Sequence, residues 1–409
     1  MISVAIMGHG VVGSGVAEIL TTHKQKLFAS IGEEIYVKHI LDLREFPDSP
    51  LADRFTKDFN DILNDREVRV VVEVMGGRNP AYDFVKKCLK SGKSVVTSNK
   101  ELVAAHGAEL LQIAKDENVN FLFEASVGGG IPIIRPISQC LVANIVDEIA
   151  GILNGTTNFI LTKMIEDGMQ FDAALKLAQD LGFAERNPAA DIEGHDACRK
   201  ICILASLAFG KHVYPNFVHT EGITEITLED VKYAEAYNCV IKLIGRVKRL
   251  DDGKIDIIVA PMFVPNKSQL ANIDYEFNGI MVRGDCTGDV VFYGKGAGKL
   301  PTASAVVADV VDCCKHLKTR KFLFWADGNG DNILPYEESV TAMYIRANTT
   351  FELAQEVFGC IDKIEKADSP EGEIAFVTAQ LPYGEIIEKI AALESRGAKV
   401  ISKIRIGDL

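Results

Sequence analysis

The sequence predicts an α/β chain: an N-terminal Rossmann-type, doubly wound parallel sheet, a mixed α/β domain, and a C-terminal ferredoxin-like βαββαβ module. Three observations carry this. A short apolar strand at residues 2–7 runs into Gly8-His-Gly10-Val-Val-Gly13 and a helical pattern over 16–20. Strands then alternate with helices to about residue 125, the pattern of a parallel sheet with crossover helices. The last stretch reads strand, helix, strand, strand, helix, strand.

Taken in order, strand 2–7 and its glycine turn form a βαβ nucleotide fingerprint. The glycines permit a tight turn and close backbone approach, so a pyrophosphate can sit on free N–H groups at the helix start. A lone G-x-G-x-x-G is weak, but here it follows a strand and precedes a helix, the context that gives it meaning. Gly8, Gly10, Val11, Val12 and Gly13 are therefore the expected cofactor-binding turn. Residues 35–41 form the next strand, with Asp42 at its end. Residues 68–74 are a valine-rich, mostly apolar run broken by Arg69 and Glu73, the mark of a strand buried on both faces. Residues 81–90 read as a helix, 94–97 as a strand, 102–117 as a helix and 120–124 as a strand.

Beyond Ser126 the pattern changes. Two glycine-rich turns, Gly128-Gly129-Gly130 and Asn154-Gly155-Thr156-Thr157, precede helices at 160–166, 171–180, 196–209 and 227–237. Residues 240–263 and 279–292 look strand-like. Gly294-Lys-Gly296-Ala-Gly298 leads into an apolar helix at 303–317, expected to return to the first domain. The final elements fall at 340–346, 351–359, 361–367, 373–380, 384–393 and 399–406. The expected division is 1–125 plus about 300–317 for the dinucleotide domain, 126–299 for a substrate and dimerisation domain, 318–338 for a linker, and 339–409 for the last module.

Composition fits a globular enzyme. The 409 residues are 47% hydrophobic and 25% charged, with no run approaching the roughly 18 apolar residues of a membrane span. A net charge of −13 argues against nucleic acid or an anionic membrane as partner. No basic leader precedes the first strand, and the nine cysteines form no C-x-x-C pair; lying in apolar stretches, they read as reduced core thiols. The expected location is the cytoplasm.

The richest chemistry lies between Gly182 and Lys200. Pro188 and Gly194 make its first half a loop, and a helix follows. Asp196 and Lys200 are one turn apart on one helix face that continues into Ile203 and Leu207. One reading is a surface ion pair. The other is a partly desolvated lysine in a cleft, serving as the proton donor that reduction of a carbonyl by a nicotinamide requires. Lys100 closes Thr97-Ser-Asn-Lys at the carboxyl end of a buried strand, where doubly wound sheets bind ligands. It is either a surface charge or a cation that orients substrate or cofactor. Glu124, beside Val127-Gly-Gly129-Gly-Ile131, is either a strand-to-turn junction or an oxygen ligand for a hard cation. No histidine pair has metal-ligand spacing, and no serine has a G-x-S-x-G setting.

Together these segments resemble the homoserine dehydrogenase family over about residues 1–317. The pieces are Gly8-His-Gly-Val-Val-Gly13, Val74-Met-Gly-Gly77, Val95-Val-Thr-Ser-Asn-Lys100, Glu124-Ala-Ser-Val-Gly-Gly-Gly-Ile-Pro132, Leu153-Asn-Gly-Thr-Thr-Asn158, the stretch from Gly182 to Lys200, Tyr293-Gly-Lys-Gly-Ala-Gly298 and Pro301-Thr-Ala-Ser304. The resemblance implies reversible, nicotinamide-dependent reduction of L-aspartate 4-semialdehyde to L-homoserine, in the biosynthesis of threonine, methionine and isoleucine. It implies Lys200 as proton donor, Glu185 and Asp196 as substrate-binding carboxylates, and Lys100 beside cofactor and substrate. Gly182 and Gly298 would line the nicotinamide side. Glu124 with backbone groups of Val127, Gly129 and Ile131 would hold a monovalent cation, Na+ or K+. A homodimer or larger homo-oligomer is implied as well.

Two departures bear on this. Many relatives carry an arginine where this chain has Leu41. With Asp42 following, a ribose 2′-OH is favoured over a 2′-phosphate, hence NAD over NADP, although Arg44 is close enough to reach round. The C-terminal module resembles an ACT domain, but its first turn, Ala347-Asn-Thr-Thr-Phe351, lacks D-x-P-G, which argues for assembly rather than threonine feedback. Two other readings compete. One is a Rossmann oxidoreductase of similar build acting on a different small aldehyde or alcohol, such as a sugar; a version acting on a semialdehyde with phosphorylation would need a catalytic cysteine at a strand end near the nicotinamide, and neither Cys140 nor Cys198 has that setting. A nucleotide- and amino-acid-sensing regulator would not need the Asp196 and Lys200 pair.

Overall fold

The computed structural model describes residues 1–409. By packing, the chain falls into two compact units: residues 1–145, 202–215 and 292–329, and residues 146–201, 216–291 and 330–409.

The first unit is built on six parallel strands: β1 (Ile2–Met7), β2 (Ile35–Leu41), β3 (Phe55–Thr56), β4 (Val68–Glu73), β5 (Ser94–Thr97) and β6 (Phe121–Leu122). Their order is β3-β2-β1-β4-β5-β6. Val4, Ile6, Val70, Val72, Val95 and Val96 are wholly buried, as expected for central strands covered on both faces. The chain leaves β1 towards β2 on one side and returns to β4 on the other. This order change makes the carboxyl ends of β1 and β4 the crevice where such sheets bind ligands. Gly8, Asp42, the loop after Glu73 and the Ser98-Asn99 turn all lie at that end. The helix Lys299–Lys315 packs on the helix Val11–Thr22 within this unit. That approach is close: a Cβ at Gly15 would stand 3.0 Å from both the Lys299 carbonyl oxygen and the Ala303 Cβ.

The remaining strands are β7 (Val146–Ile152), β8 (His219–Thr220), β9 (Cys239–Arg249), β10 (Ile255–Pro265), β11 (Phe277–Gly284), β12 (Gly288–Lys295), β13 (Val340–Thr341), β14 (Met343–Asn348), β15 (Ile361–Ile364), β16 (Glu373–Thr378), β17 (Leu381–Pro382) and β18 (Lys399–Ile406). Ten of them form one mixed sheet: nine in the order β12-β11-β7-β9-β10-β18-β14-β16-β15, and β8 paired with β10. Strands β14, β15, β16 and β18, with helices Phe351–Phe358 and Tyr383–Ser395, make the expected βαββαβ sequence. Neighbours within that group are antiparallel, in the ferredoxin-like order. The group is not an isolated module: Met262 and Phe263 of β10 pair in parallel with Arg405 and Ile406 of β18. Its own core gathers Met343, Ile345, Phe358, Phe376, Ile386 and Leu393.

The sequence reading did not anticipate β7, a central strand. Its Asp147-Glu148 and Gly151 disguise it, yet Glu148 is buried because Arg246 and Arg283 from neighbouring strands β9 and β11 pair with its two carboxylate oxygens. The cysteines need one correction. All nine are free thiols, but Cys140, Cys286 and Cys360 are exposed rather than packed in a core. No helix is long and apolar enough to cross a membrane.

Candidate active site

At the end of β1 the glycine turn is required by sterics. Gly8 takes φ +100°, a left-handed value that other residues avoid, and a Cβ at Gly13 would lie 1.9 Å from the Gly8 carbonyl oxygen. Beside Gly10 there is open space. The helix begins at Val11, so the N–H groups of Val11, Val12 and Gly13 belong to its unbonded first turn. These residues fit a dinucleotide pyrophosphate.

Asp42, one residue past β2, organises the neighbouring loop. Its Oδ2 accepts from the His9 N–H at 2.8 Å and from Arg44 Nη2 at 2.8 Å, and its Oδ1 from Arg44 Nε at 2.9 Å. The Arg44 guanidinium holds this carboxyl well below the usual carboxylate range. The carboxylate is thus fixed and charged just past the end of β2, paired with an exposed arginine.

At the ends of β4 and β5 stands a group that sequence reasoning missed. Glu73 is fully buried; its Oε1 accepts from the Met75 N–H at 2.8 Å and its Oε2 from the Thr97 hydroxyl at 2.6 Å. Burial pushes its carboxyl up, against these donors. Thr97 Oγ1 accepts from the Asn99 N–H at 2.9 Å, and Asn99 Nδ2 donates to the Gly77 carbonyl at 2.6 Å. Asn99 also caps the helix Lys100–Asp116, its Oδ1 accepting from Leu102 at 3.1 Å, so Lys100 is the first helical residue. An acidic residue closing an apolar run was the available signal.

Glu124 begins a short 3-10 turn after β6 and is buried. Its Oε1 accepts from Ile133 at 2.6 Å and Ile134 at 2.8 Å, and its Oε2 from the Arg135 N–H at 2.9 Å. Val127, Gly129 and Ile131 follow in the tight turn, where the Ile131 N–H donates to Gly128 and Gly129 takes φ +57°. No group of three or more His, Cys, Asp or Glu side chains able to hold a metal ion occurs. Gly298, with φ +118°, caps the start of the helix Lys299–Lys315.

The second unit holds the lysine. Lys200 and Asp196 are buried on the helix His195–Phe209, as the run-on into Ile203 and Leu207 predicts, and not paired at the surface. Lys200 Nζ donates to the Leu153 carbonyl at 2.7 Å and to Asp196 Oδ2 at 2.8 Å. Asn154, whose role the sequence did not reveal, donates to Asp196 Oδ2 at 2.9 Å and Asp191 Oδ1 at 2.7 Å. It also caps the helix Gly155–Glu166, its Oδ1 accepting from Thr157 at 2.9 Å. Asparagine before a helical pattern is a capping signal, and here the cap fixes the amide that orients Asp196. Glu185 is on an exposed loop, and Gly182, φ +79°, follows the helix Phe171–Asp180 at the same loop's start.

A glycine turn of this kind, in a chain that also buries a lysine hydrogen-bonded to an aspartate on one helix, defines a class: the NAD(P)-dependent oxidoreductases. Residues 8–124 match the family model described as homoserine dehydrogenase, NAD binding domain, and residues 132–311 that described as homoserine dehydrogenase. A homoserine dehydrogenase of Neisseria gonorrhoeae is 37% identical, over 100% of this chain and 99% of its own. The crystal structure of a homoserine dehydrogenase from Thiobacillus denitrificans superposes with a TM-score of 0.90 at 36% identity, covering 100% of this chain and 98% of that one. A hyperthermophilic archaeal homoserine dehydrogenase in complex with NADPH has a TM-score of 0.65 at 27% identity, covering 76% and 97%. The chain belongs to the homoserine dehydrogenase family.

Proposed function

We propose that the chain interconverts L-aspartate 4-semialdehyde and L-homoserine, with Lys200 as the proton-transferring group. The observation that carries this reading is the buried Lys200 ammonium, fixed by the Leu153 carbonyl and the Asp196 carboxylate. The nicotinamide supplies or takes up the hydride. In reduction, Lys200 Nζ gives a proton to the aldehyde oxygen as negative charge develops there; in oxidation it takes the hydroxyl proton back. Asp196 keeps that amine oriented, and Asn154 keeps Asp196 in place. The substrate is a zwitterion, and Glu185 and Asp196 are the carboxylates complementary to its ammonium. Lys100 is assigned to the cofactor and substrate, Gly182 and Gly298 to the nicotinamide side. We assign the chain to the cytoplasm as a homodimer or larger assembly serving amino-acid biosynthesis, with the C-terminal ACT-like group as an assembly element.

For a monovalent cation at this turn, the Glu124 carboxylate already accepts from three backbone N–H groups, which leaves Oε2 the less occupied oxygen. A Na+ or K+ ion at this turn would have main-chain carbonyls of Val127, Gly129 and Ile131 as ligands, and no step depends on it.

The test is absorbance at the nicotinamide band with L-homoserine and NAD+ or NADP+ in turn. Turnover is expected with L-homoserine; turnover of other small alcohols but not of L-homoserine would overturn the reading. NAD is the favoured cofactor, because Asp42 is a charged acceptor held in place. The archaeal relative solved with NADPH sets the counter-example, and Arg44 the group that would have to move. Asp42→Ser is expected to lower kcat/KM for NAD about tenfold, the value of a lost charge-assisted hydrogen bond, and to narrow the NAD-to-NADP ratio. An unchanged ratio would show that Asp42 does not choose the cofactor.

A further inference from the structure

We propose that Glu73 is a positioning residue for hydride transfer, acting through the loop 74–77 and the helix start at Lys100. The inference rests on the reading of Lys100 given above. The geometry is a closed relay. Glu73 fixes the Met75 N–H with one oxygen and the Thr97 hydroxyl with the other. Thr97 fixes the Asn99 N–H, and Asn99 ties the Gly77 carbonyl to the cap of the helix that Lys100 begins. The loop so held is otherwise soft, since Gly76 and Gly77 are consecutive left-handed glycines at φ +78° and +68°. It also abuts the cofactor turn: a Cβ at Gly8 would stand 3.0 Å from the Val74 carbonyl oxygen and 3.1 Å from the Met75 Cα. One buried side chain thus sets the spacing between the nucleotide turn, the loop behind it and the first residue of the next helix, all within the first unit.

The relay requires a carboxylate at its centre. Both partners donate: the Met75 N–H can only donate, and Thr97 Oγ1 already accepts from Asn99. A glutamine of the same shape must turn its NH2 towards one of these donors, which breaks one joint and preserves volume. Glu73 is fully buried, and its carboxylate joins two strand ends at the ligand edge of the sheet.

The experiment is a double-mutant cycle on the full chain, with L-homoserine and the preferred cofactor. Glu73→Gln is expected to lower kcat about 10- to 100-fold, the effect of one buried donor left unmatched, while the KM for L-homoserine changes much less. Thr97→Val should reproduce the fall and Thr97→Ser should recover most of it. In a Lys100→Ala background, Glu73→Gln should add little, because the two lie on one path. Melting temperature and cofactor Kd are measured alongside, to separate lost positioning from lost fold. A Glu73→Gln kcat within twofold of the parent, or a fall that multiplies fully with Lys100→Ala, would overturn the proposal. Should Lys100→Ala itself leave kcat unchanged, the reading of Lys100 fails, and the path proposed through it fails with it; the single variant distinguishes that case from a failure of Glu73 alone.

Discussion

Lys200→Met should lower kcat by about 10²- to 10⁴-fold, the range for loss of a positioned acid–base group, and leave cofactor Kd nearly unchanged. Methionine keeps most of the length of the side chain and removes the transferable proton. It also leaves Asp196 buried without its ammonium, so folding is checked by circular dichroism and thermal melting before rates are compared. Lys200→Arg separates charge from proton transfer: a guanidinium can pair with Asp196 but does not give up its proton near neutral pH. It should be almost as inactive as the methionine variant. A folded Lys200→Met or Lys200→Arg protein within about tenfold of the parent kcat would show that the proton comes from elsewhere.

Asp230→Ala should be among the most destabilising single changes in the second unit, by about 3–5 kcal/mol, the cost of leaving one partner of a buried ion pair alone. Asp230 is fully buried in the helix Leu228–Ala236, where it completes a capping box with Thr227. From β14 of the C-terminal group, Arg346 Nε approaches Asp230 Oδ1 at 3.1 Å and the Tyr344 hydroxyl donates to the same oxygen at 3.0 Å. Arg346 also pairs with Glu373 at 3.3 Å, but that contact cannot replace the lost carboxylate. Denaturant unfolding measures the effect. A loss below about 1 kcal/mol, the scale of an exposed pair, would mean that this buried junction contributes no more than a surface one.

Much of the first unit was legible because its signals are local. The strand, glycine turn and helix at the start need only neighbouring residues to specify them, and 81–90 and 94–97 match the observed helix and strand end to end, as 171–180 does in the second unit. Helix starts were read late at Lys100 and Gly155, where Asn99 and Asn154 act as caps ahead of the first apolar residue. Strand β7 escaped because the burial of Glu148 depends on arginines about 100 residues or more away in sequence. The site divides in the same way. One helical turn was enough to place Asp196 beside Lys200, and the apolar stripe foretold their burial. The contacts of the Leu153 carbonyl, the Asn154 amide and Glu73 were not readable, since they join residues 22 to 47 positions apart, although Asn154 and Glu73 each carried a local signal. At Glu124 the sequence shows a carboxylate beside a glycine turn, but not the three backbone N–H groups of residues 133–135 that it accepts from.

The parallel pairing of β10 with β18 sets a rule for shortening this chain. Cutting away the final seventy or so residues would strip backbone partners from Met262 and Phe263 and uncover an apolar, ladder-ready border. A shortened protein of this sequence therefore needs a replacement cover for that border, whether a charged substitution, a proline or a second polypeptide, or it will self-associate strand to strand.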